Sequence, residues 1–99
     1  MDQTPVTAKQ LASITEAKLT GDETIIVTDV SHDSRRAREG ALFAAVSGAV
    51  FDAHKFVSQV MSQGAAGVFS ERPAPDDFTG VWLQVEDIRR AMALAAAEG

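Results

Sequence analysis

The clearest apolar pattern lies in the middle of the chain. Residues 41–46 (ALFAAV) form a continuous apolar run of strand length, which predicts a strand buried on both faces of a sheet. Ala53, Phe56, Val57, Val60 and Met61 then recur at i, i+3, i+4, i+7 and i+8, one face of a helix. Asp52 is placed to cap that helix, and Gly64 is its expected C′ residue. Residues 65–70 (AAGVFS) and 81–85 (VWLQV) read as two more short strands. Between them Pro73, Pro75, Asp76 and Asp77 mark an exposed loop. Glu86 or Asp87 begins a last helix, where an acid favours the N-terminal dipole. Ile88, Ala91, Met92 and Ala95 make its inner face.

The first forty residues carry weaker signals. Residues 1–5 are expected to fray. Thr7-Ala8-Lys9-Gln10 matches a capping box, with Val6 and Leu11 spaced as a hydrophobic staple. A helix is predicted over about residues 8–16, ending near Thr20-Gly21-Asp22. Its small apolar face (Leu11, Ala12, Ile14) suits packing at an edge. Residues 24–31 are rich in β-branched side chains and predict one strand. Residues 35–40 form a charged turn, with Gly40 free to take positive φ. From residue 41 the order is strand, helix, strand, strand, helix. The fold class is therefore α/β, with a small mixed or mostly parallel sheet flanked by helices.

Composition narrows this only slightly. Ninety-nine residues suit a single domain over 1–99. Hydrophobic residues at 45% and charged residues at 23% give a globular rather than a disordered balance. The absence of cysteine excludes disulfides and thiolate metal sites, and it fits a reducing cytosol. A net charge of −5 argues against a nucleic-acid partner, with Arg35, Arg36 and Arg38 as a local exception. No apolar run reaches the roughly 20 residues that span a bilayer. No basic region followed by an apolar stretch marks a signal peptide. Together these fit a cytoplasmic location without a membrane partner, although exported proteins can also lack cysteine.

Residues 31–56 (SHDSRRAREGALFAAVSGAVFDAHKF) hold the candidate chemistry. Polar loops on each side of a buried strand are a common way to build a ligand site. In Asp33-Ser34-Arg35 a hydroxyl and a guanidinium at a strand end suit a diphosphate. The same residues suit a turn in which Asp33 or Ser34 bonds local backbone. Gly48 permits close backbone approach before the next helix, although residues 48–52 also suit a plain connecting loop. The Gly-Lys-Ser/Thr element of a phosphate loop is absent.

His32 and His54 lie on different elements without metal-ligand spacing, so each reads as a polar contact or an exposed residue. Trp82 reads as core. Asp76-Asp77 and Glu86-Asp87 read as loop and helix-cap residues. No nucleophile–base pair stands out, so no catalytic residue is assigned.

Taken in order, these pieces resemble a known family. Asp33-Ser34-Arg35, Gly40-Ala41-Leu42-Phe43-Ala44-Ala45-Val46, Gly48, Asp52, His54 and Gly64-Ala65-Ala66-Gly67-Val68 resemble the N-terminal domain of the Mur ligases. Val85-Glu86-Asp87-Ile88-Arg89-Arg90-Ala91 strengthens the likeness. It covers about residues 24–98 and favours the MurE type over MurF. Two departures stand out: Ala41 replaces an acid common in the family, and Ala53 replaces the glycine of its Asp-Gly-His. Ala53 disfavours positive φ, so the helix is expected to begin earlier or more regularly.

The resemblance implies a UDP-sugar-binding domain of an ATP-dependent amide ligase of peptidoglycan synthesis. The substrate would be UDP-N-acetylmuramoyl-L-alanyl-D-glutamate. The third stem-peptide residue would be meso-diaminopimelate or lysine. By the same resemblance His32, Ser34, Ala49, Val50 and Phe51 line the uridine diphosphate, with Arg35 and Gly48 in support. No metal site and no cofactor are expected in this domain. ATP and magnesium would be held by central and C-terminal domains that this chain lacks, so the chain alone is expected to be inactive. A Gly-Lys-Thr loop is expected just beyond Gly99. The rival readings are a MurF-type domain and a free-standing α/β binding module without enzymatic role.

Overall fold

The computed structural model describes residues 6–33, 35, 37, 39–46, 53–76 and 78–98. In chain order the elements are β1 (Val6–Thr7), α1 (Ala8–Thr15), β2 (Lys18–Thr20), β3 (Ile26–Val27), β4 (Asp29–Ser31) and β5 (Ala41–Ala44). A 3₁₀ turn (Ala53–Phe56) then leads into α2 (Val57–Ser62), followed by β6 (Gly67–Ser70), β7 (Val81–Gln84) and α3 (Ile88–Glu98). The main sheet runs β2-β7-β6-β5-β4. β4, β5, β6 and β7 are mutually parallel, and β2 joins antiparallel at the β7 edge. The expected α/β class with a mostly parallel, helix-flanked sheet is what forms.

The predicted central strand is the hinge of the packing. All four residues of β5 are buried. Leu42 and Ala44 point to one side, where they meet Phe69, Leu83, α1 and α3. Phe43 and Ala45 point to the other, where they meet Val60, Val68 and Trp82. This is the period-2 consequence of a strand buried on both faces.

Local end signals act as the sequence predicts. The Thr7 hydroxyl accepts from the Gln10 amide at 3.1 Å, and the Gln10 side chain accepts from the Thr7 amide at 2.9 Å. At the end of α2, Gly64 takes φ +95°. Its amide donates to the Met61 carbonyl, and the Ala65 amide donates to that of Val60, each at 3.1 Å. That pairing is a Schellman motif. On α3, Ile88, Ala91 and Ala95 are buried, as expected of its inner face.

Three differences have physical causes. α1 stops at Thr15 because Glu16 turns left-handed at φ 58° and the Ala17 amide returns to the Ala12 carbonyl. The chain is thereby freed to add Lys18–Thr20 to β7, an edge strand that exposes Lys18 and Thr20 and has no apolar alternation to announce it. The expected strand over 24–31 splits at Thr28, whose amide bonds the Gly40 carbonyl; Ile26–Val27 pairs with β1 and Asp29–Ser31 with β5. The helix expected from Ala53 opens instead as a 3₁₀ turn and becomes α-helical only at Val57. Asp52, its expected cap, lies outside the described residues.

Candidate functional site

Parallel strands place their C-terminal ends on one edge, and ligands of open α/β sheets gather there. In this sheet that edge carries Ser31 of β4, Ala44 of β5, Ser70 of β6 and Gln84 of β7. The candidate segments 32–35 and 47–52 follow directly on the ends of the neighbouring strands β4 and β5. Their common origin therefore comes from strand order, with β4 beside β5.

At the end of β4 the turn is organised by short side chains. Ser31 Oγ accepts from the Asp33 amide at 3.1 Å. Asp33 accepts from the Arg35 amide at 2.9 Å, and from Arg35 Nε and one terminal nitrogen at 3.3 Å each. The Asp33 carboxylate, by hydrogen bond and charge, raises the Arg35 guanidinium above its usual range. An anion arriving here competes with Asp33 for that guanidinium. The Arg35 side chain is 85% exposed. His32 is exposed in the same turn.

The end of β6 is more closed. Ser70 is fully buried. Its Oγ accepts from the Arg72 amide at 2.9 Å and lies 2.6 Å from His54 Nε2. The His54 ring stacks on Trp82 at 6.4 Å between centroids. The indole N–H of Trp82 donates to the Arg72 carbonyl at 2.8 Å, and Phe78 meets the same indole edge-on at 5.0 Å. Trp82 is thus core, as expected, with its polar tip satisfied. Both strand ends are finished by side chain-to-backbone bonds.

Of the expected contact residues, His32 and Arg35 sit together in the β4 turn, beside Ser31. Ser34, Gly48, Ala49, Val50 and Phe51 lie outside the described residues, as do Arg36 and Arg38. Sequence reasoning did not single out Ser70. Its only signal is a lone hydroxyl closing the apolar run AAGVFS. The expected cap at Glu86 or Asp87 is Asp87, whose Oδ1 accepts from the Arg89 and Arg90 amides at 3.0 and 3.2 Å. Glu71 reaches across to accept from the Ile88 amide at 2.9 Å. The first amides of α3 are therefore occupied, and that helix end offers no anion site.

The opposite edge of the sheet is different in kind. Gly40, Ala65, Ala66 and Gly80, which precede β5, β6 and β7, line an open depression of about 470 Å³ with Ile25, Ile26 and Met61. Glu39 and Thr79 supply its polar side chains. Among the described residues no cluster of three His, Asp or Glu is placed to hold a metal ion, and no helix is long and apolar enough to cross a membrane.

Comparison with known proteins agrees with this fold. Residues 26–98 match the family described as "Mur ligase family, catalytic domain". A ligase of Solibacter usitatus, named for UDP-N-acetylmuramoyl-L-alanyl-D-glutamate and 2,6-diaminopimelate, is 44% identical over 71% of this chain and 14% of its own length. A ligase of Haemophilus influenzae, named for UDP-N-acetylmuramoyl-tripeptide and D-alanyl-D-alanine, is 46% identical over 57% of this chain and 12% of its own. A crystal structure of MurF from Acinetobacter baumannii superposes with a TM-score of 0.84 at 33% identity, over 99% of this chain and 21% of that one. The chain spans 14–18% of the length of the curated relatives it matches first.

Proposed function

The chain belongs to the Mur ligase family, and from that premise we propose that it is the domain that holds the UDP end of a UDP-N-acetylmuramoyl-peptide for an ATP-dependent amide ligase. The observation that carries this reading is the shared edge. The segments after β4 and β5, which hold the family-like Asp33-Ser34-Arg35 and Gly48–Asp52 stretches, start side by side from parallel strands. In this reading Ser34 donates to a phosphate oxygen. The backbone of Gly48, Ala49, Val50 and Phe51 lies along the nucleotide. His32 and Arg35 flank the diphosphate. Binding the remote end of the substrate contributes orientation to a reaction performed elsewhere in the enzyme.

ATP and magnesium are assigned to other domains of a whole ligase in the cytoplasm. These residues hold no Gly-Lys-Ser/Thr loop, so no step through either is assigned to them. The type proposed is the one that adds the third stem residue to UDP-N-acetylmuramoyl-L-alanyl-D-glutamate. Support comes from relatives carrying that name which cover up to 91% of this chain, against 57% for the D-alanyl-D-alanine ligase. The MurF reading rests on the Acinetobacter baumannii structures, which cover 99% of it.

Titration with UDP, followed by amide chemical shifts, tests the site. Shifts should concentrate in residues 32–35 and 48–51. Ser34→Ala should weaken binding about tenfold to a hundredfold with the fold intact, the scale of a charge-assisted hydrogen bond. Gly48→Val should do at least as much harm. UDP that perturbs neither segment overturns the site. Joining the chain to the remaining domains and offering the dipeptide and tripeptide substrates in turn separates the two ligase types.

A further inference from the structure

Ser70 and His54 are sixteen residues apart in sequence and belong to different elements, yet their side chains meet at 2.6 Å. Ser70 is fully buried, so its hydroxyl is closed to any ligand. A serine hydroxyl has one hydrogen to give and two lone pairs to receive. One lone pair is already taken by the Arg72 amide, which is necessarily a donor. We propose that the Ser70 hydrogen goes to His54 Nε2, and that His54 so held is a positioning residue for the nucleotide site.

The inference rests on the nucleotide reading and extends it to a residue that would not touch the nucleotide. The imidazole is then in its Nδ1–H form, with Nε2 as acceptor. Its ring is fixed a second time by stacking on Trp82, whose own N–H is held by the Arg72 carbonyl. Two independent contacts therefore pin the 3₁₀ turn Ala53–Phe56 to the C-terminal end of β6 and to Trp82 of β7. The chain entering that turn has just left residues 48–51, so fixing His54 fixes where that approach ends. A leucine would keep much of the bulk over Trp82 but lose the hydrogen bond. A glutamine would offer Oε1 in place of Nε2.

The test uses the 99-residue chain with UDP as probe. Ring nitrogen spectra of ¹⁵N-labelled chain, recorded on the neutral ring at alkaline pH, should show the proton of His54 on Nδ1. A proton on Nε2 overturns the assignment. His54→Leu should weaken UDP binding about fivefold to tenfold, the fold-change of one net hydrogen bond, and His54→Gln should recover most of the loss. Ser70→Ala breaks the same bond from the other side, together with the one accepted from the Arg72 amide, and serves if His54→Leu does not fold. Wild type that binds UDP as tightly as His54→Leu overturns this inference alone. Equal losses in the leucine and glutamine variants, tracking equal losses in Tm, make His54 merely structural and also overturn it. Wild type that fails to bind UDP overturns the nucleotide reading, and the positioning role with it.

Discussion

The two faces of the main sheet are built from the same strands and covered by different means. One face presents Leu42, Ala44, Phe69 and Leu83 to α1 and α3. The other presents Phe43, Ala45, Val68 and Trp82 to α2 and to two of the three connections between parallel strands, residues 32–40 and 71–80. Those crossovers reach the core through Ala37, Ala74 and Phe78. A helix satisfies its own backbone, whereas a crossover needs partners for its amides and carbonyls. Those partners are visible: Gln63 Nε2 donates to the Ala37 carbonyl at 3.0 Å, and Trp82 Nε1 to that of Arg72 at 2.8 Å. Polar side chains therefore enter on the crossover side, Trp82 by the end of β6 and Gln63 beside Gly64 of the opposite edge. The helix-covered face is closed mainly by apolar side chains, and the crossover-covered face also by hydrogen-bonded polar ones.

The largest test of this contrast removes one aromatic from each face. Phe69 and Phe43 are both fully buried. Phe69→Ala opens a cavity against helices and should cost on the order of 3–5 kcal/mol in urea denaturation. Phe43→Ala faces a crossover segment that can collapse into the space, so its loss should fall toward the low end of that ~3–5 kcal/mol range. A Phe43→Ala loss below about 1 kcal/mol, the scale of surface changes, would remove Phe43 from the core. A larger loss than Phe69→Ala would invert the contrast.

A smaller effect is expected where the two faces share backbone. A Cβ on Gly67 would run into the carbonyl of Val81 on β7, a backbone atom that cannot swing aside. Gly67→Ala should cost about 1–3 kcal/mol, as overpacking does, by prising β6 from β7. Both faces then loosen together. Urea midpoints and amide exchange at β6 and β7 measure this. Unchanged exchange there, with wild-type stability, would mean that the strands separate freely.

How much was legible follows the same division. The double burial of β5, the capping box at Thr7, the Schellman end at Gly64 and the inner face of α3 are local patterns, and each forms as read. What stayed hidden depends on partners far along the chain. Lys18–Thr20 is a strand only because β7 offers it an edge, and Thr28 breaks a β-branched run only because Gly40 accepts its amide. Ala37 reads as part of a charged turn, yet it is fully buried in the crossover face. In the candidate site, Asp33 and Arg35 were legible because they bond within one turn. The Ser70–His54 pair was not, since a lone serine and a lone histidine on separate elements share no spacing rule.

Helix ends give an effect of about 1 kcal/mol on the helix-covered side. Asp87→Ala removes the acceptor of the Arg89 and Arg90 amides. Glu71 remains on the Ile88 amide, so the loss should fall near the lower end of the usual cap range of about 0.5–2 kcal/mol. Adding Glu71→Ala should cost more than the sum of the two single changes, since each carboxylate covers for the other. Simple additivity in thermal unfolding would mean that the two acceptors act separately.

The smallest effect compares two exposed turns, one on each side. Asp33 serves the crossover turn through Arg35. Asp22 serves the turn beside α1, where the Glu23 and Ile25 carbonyls accept the Lys9 and Ala8 amides at 3.0 and 2.8 Å. The Thr24 hydroxyl, and then the Thr24 amide, hold the Asp22 carboxyl below its ordinary value of 3.8. The sign follows from that direction. A lowered folded pKa means that the carboxylate favours the folded state at pH above the unfolded value. Its contribution is complete at neutral pH and is lost as pH falls through the lowered value, in the acid range below 3.8. Thr24→Val deletes the larger cause and keeps the amide. The Asp22 midpoint, read from the carboxyl carbon by NMR, should rise toward 3.8 without passing it. Neutral-pH stability should stay within error, because Asp22 is exposed and water screens it. A wild-type midpoint at or above 3.8 would show that Thr24 does not hold the turn. The order beside α1 would then come from the two backbone bonds alone.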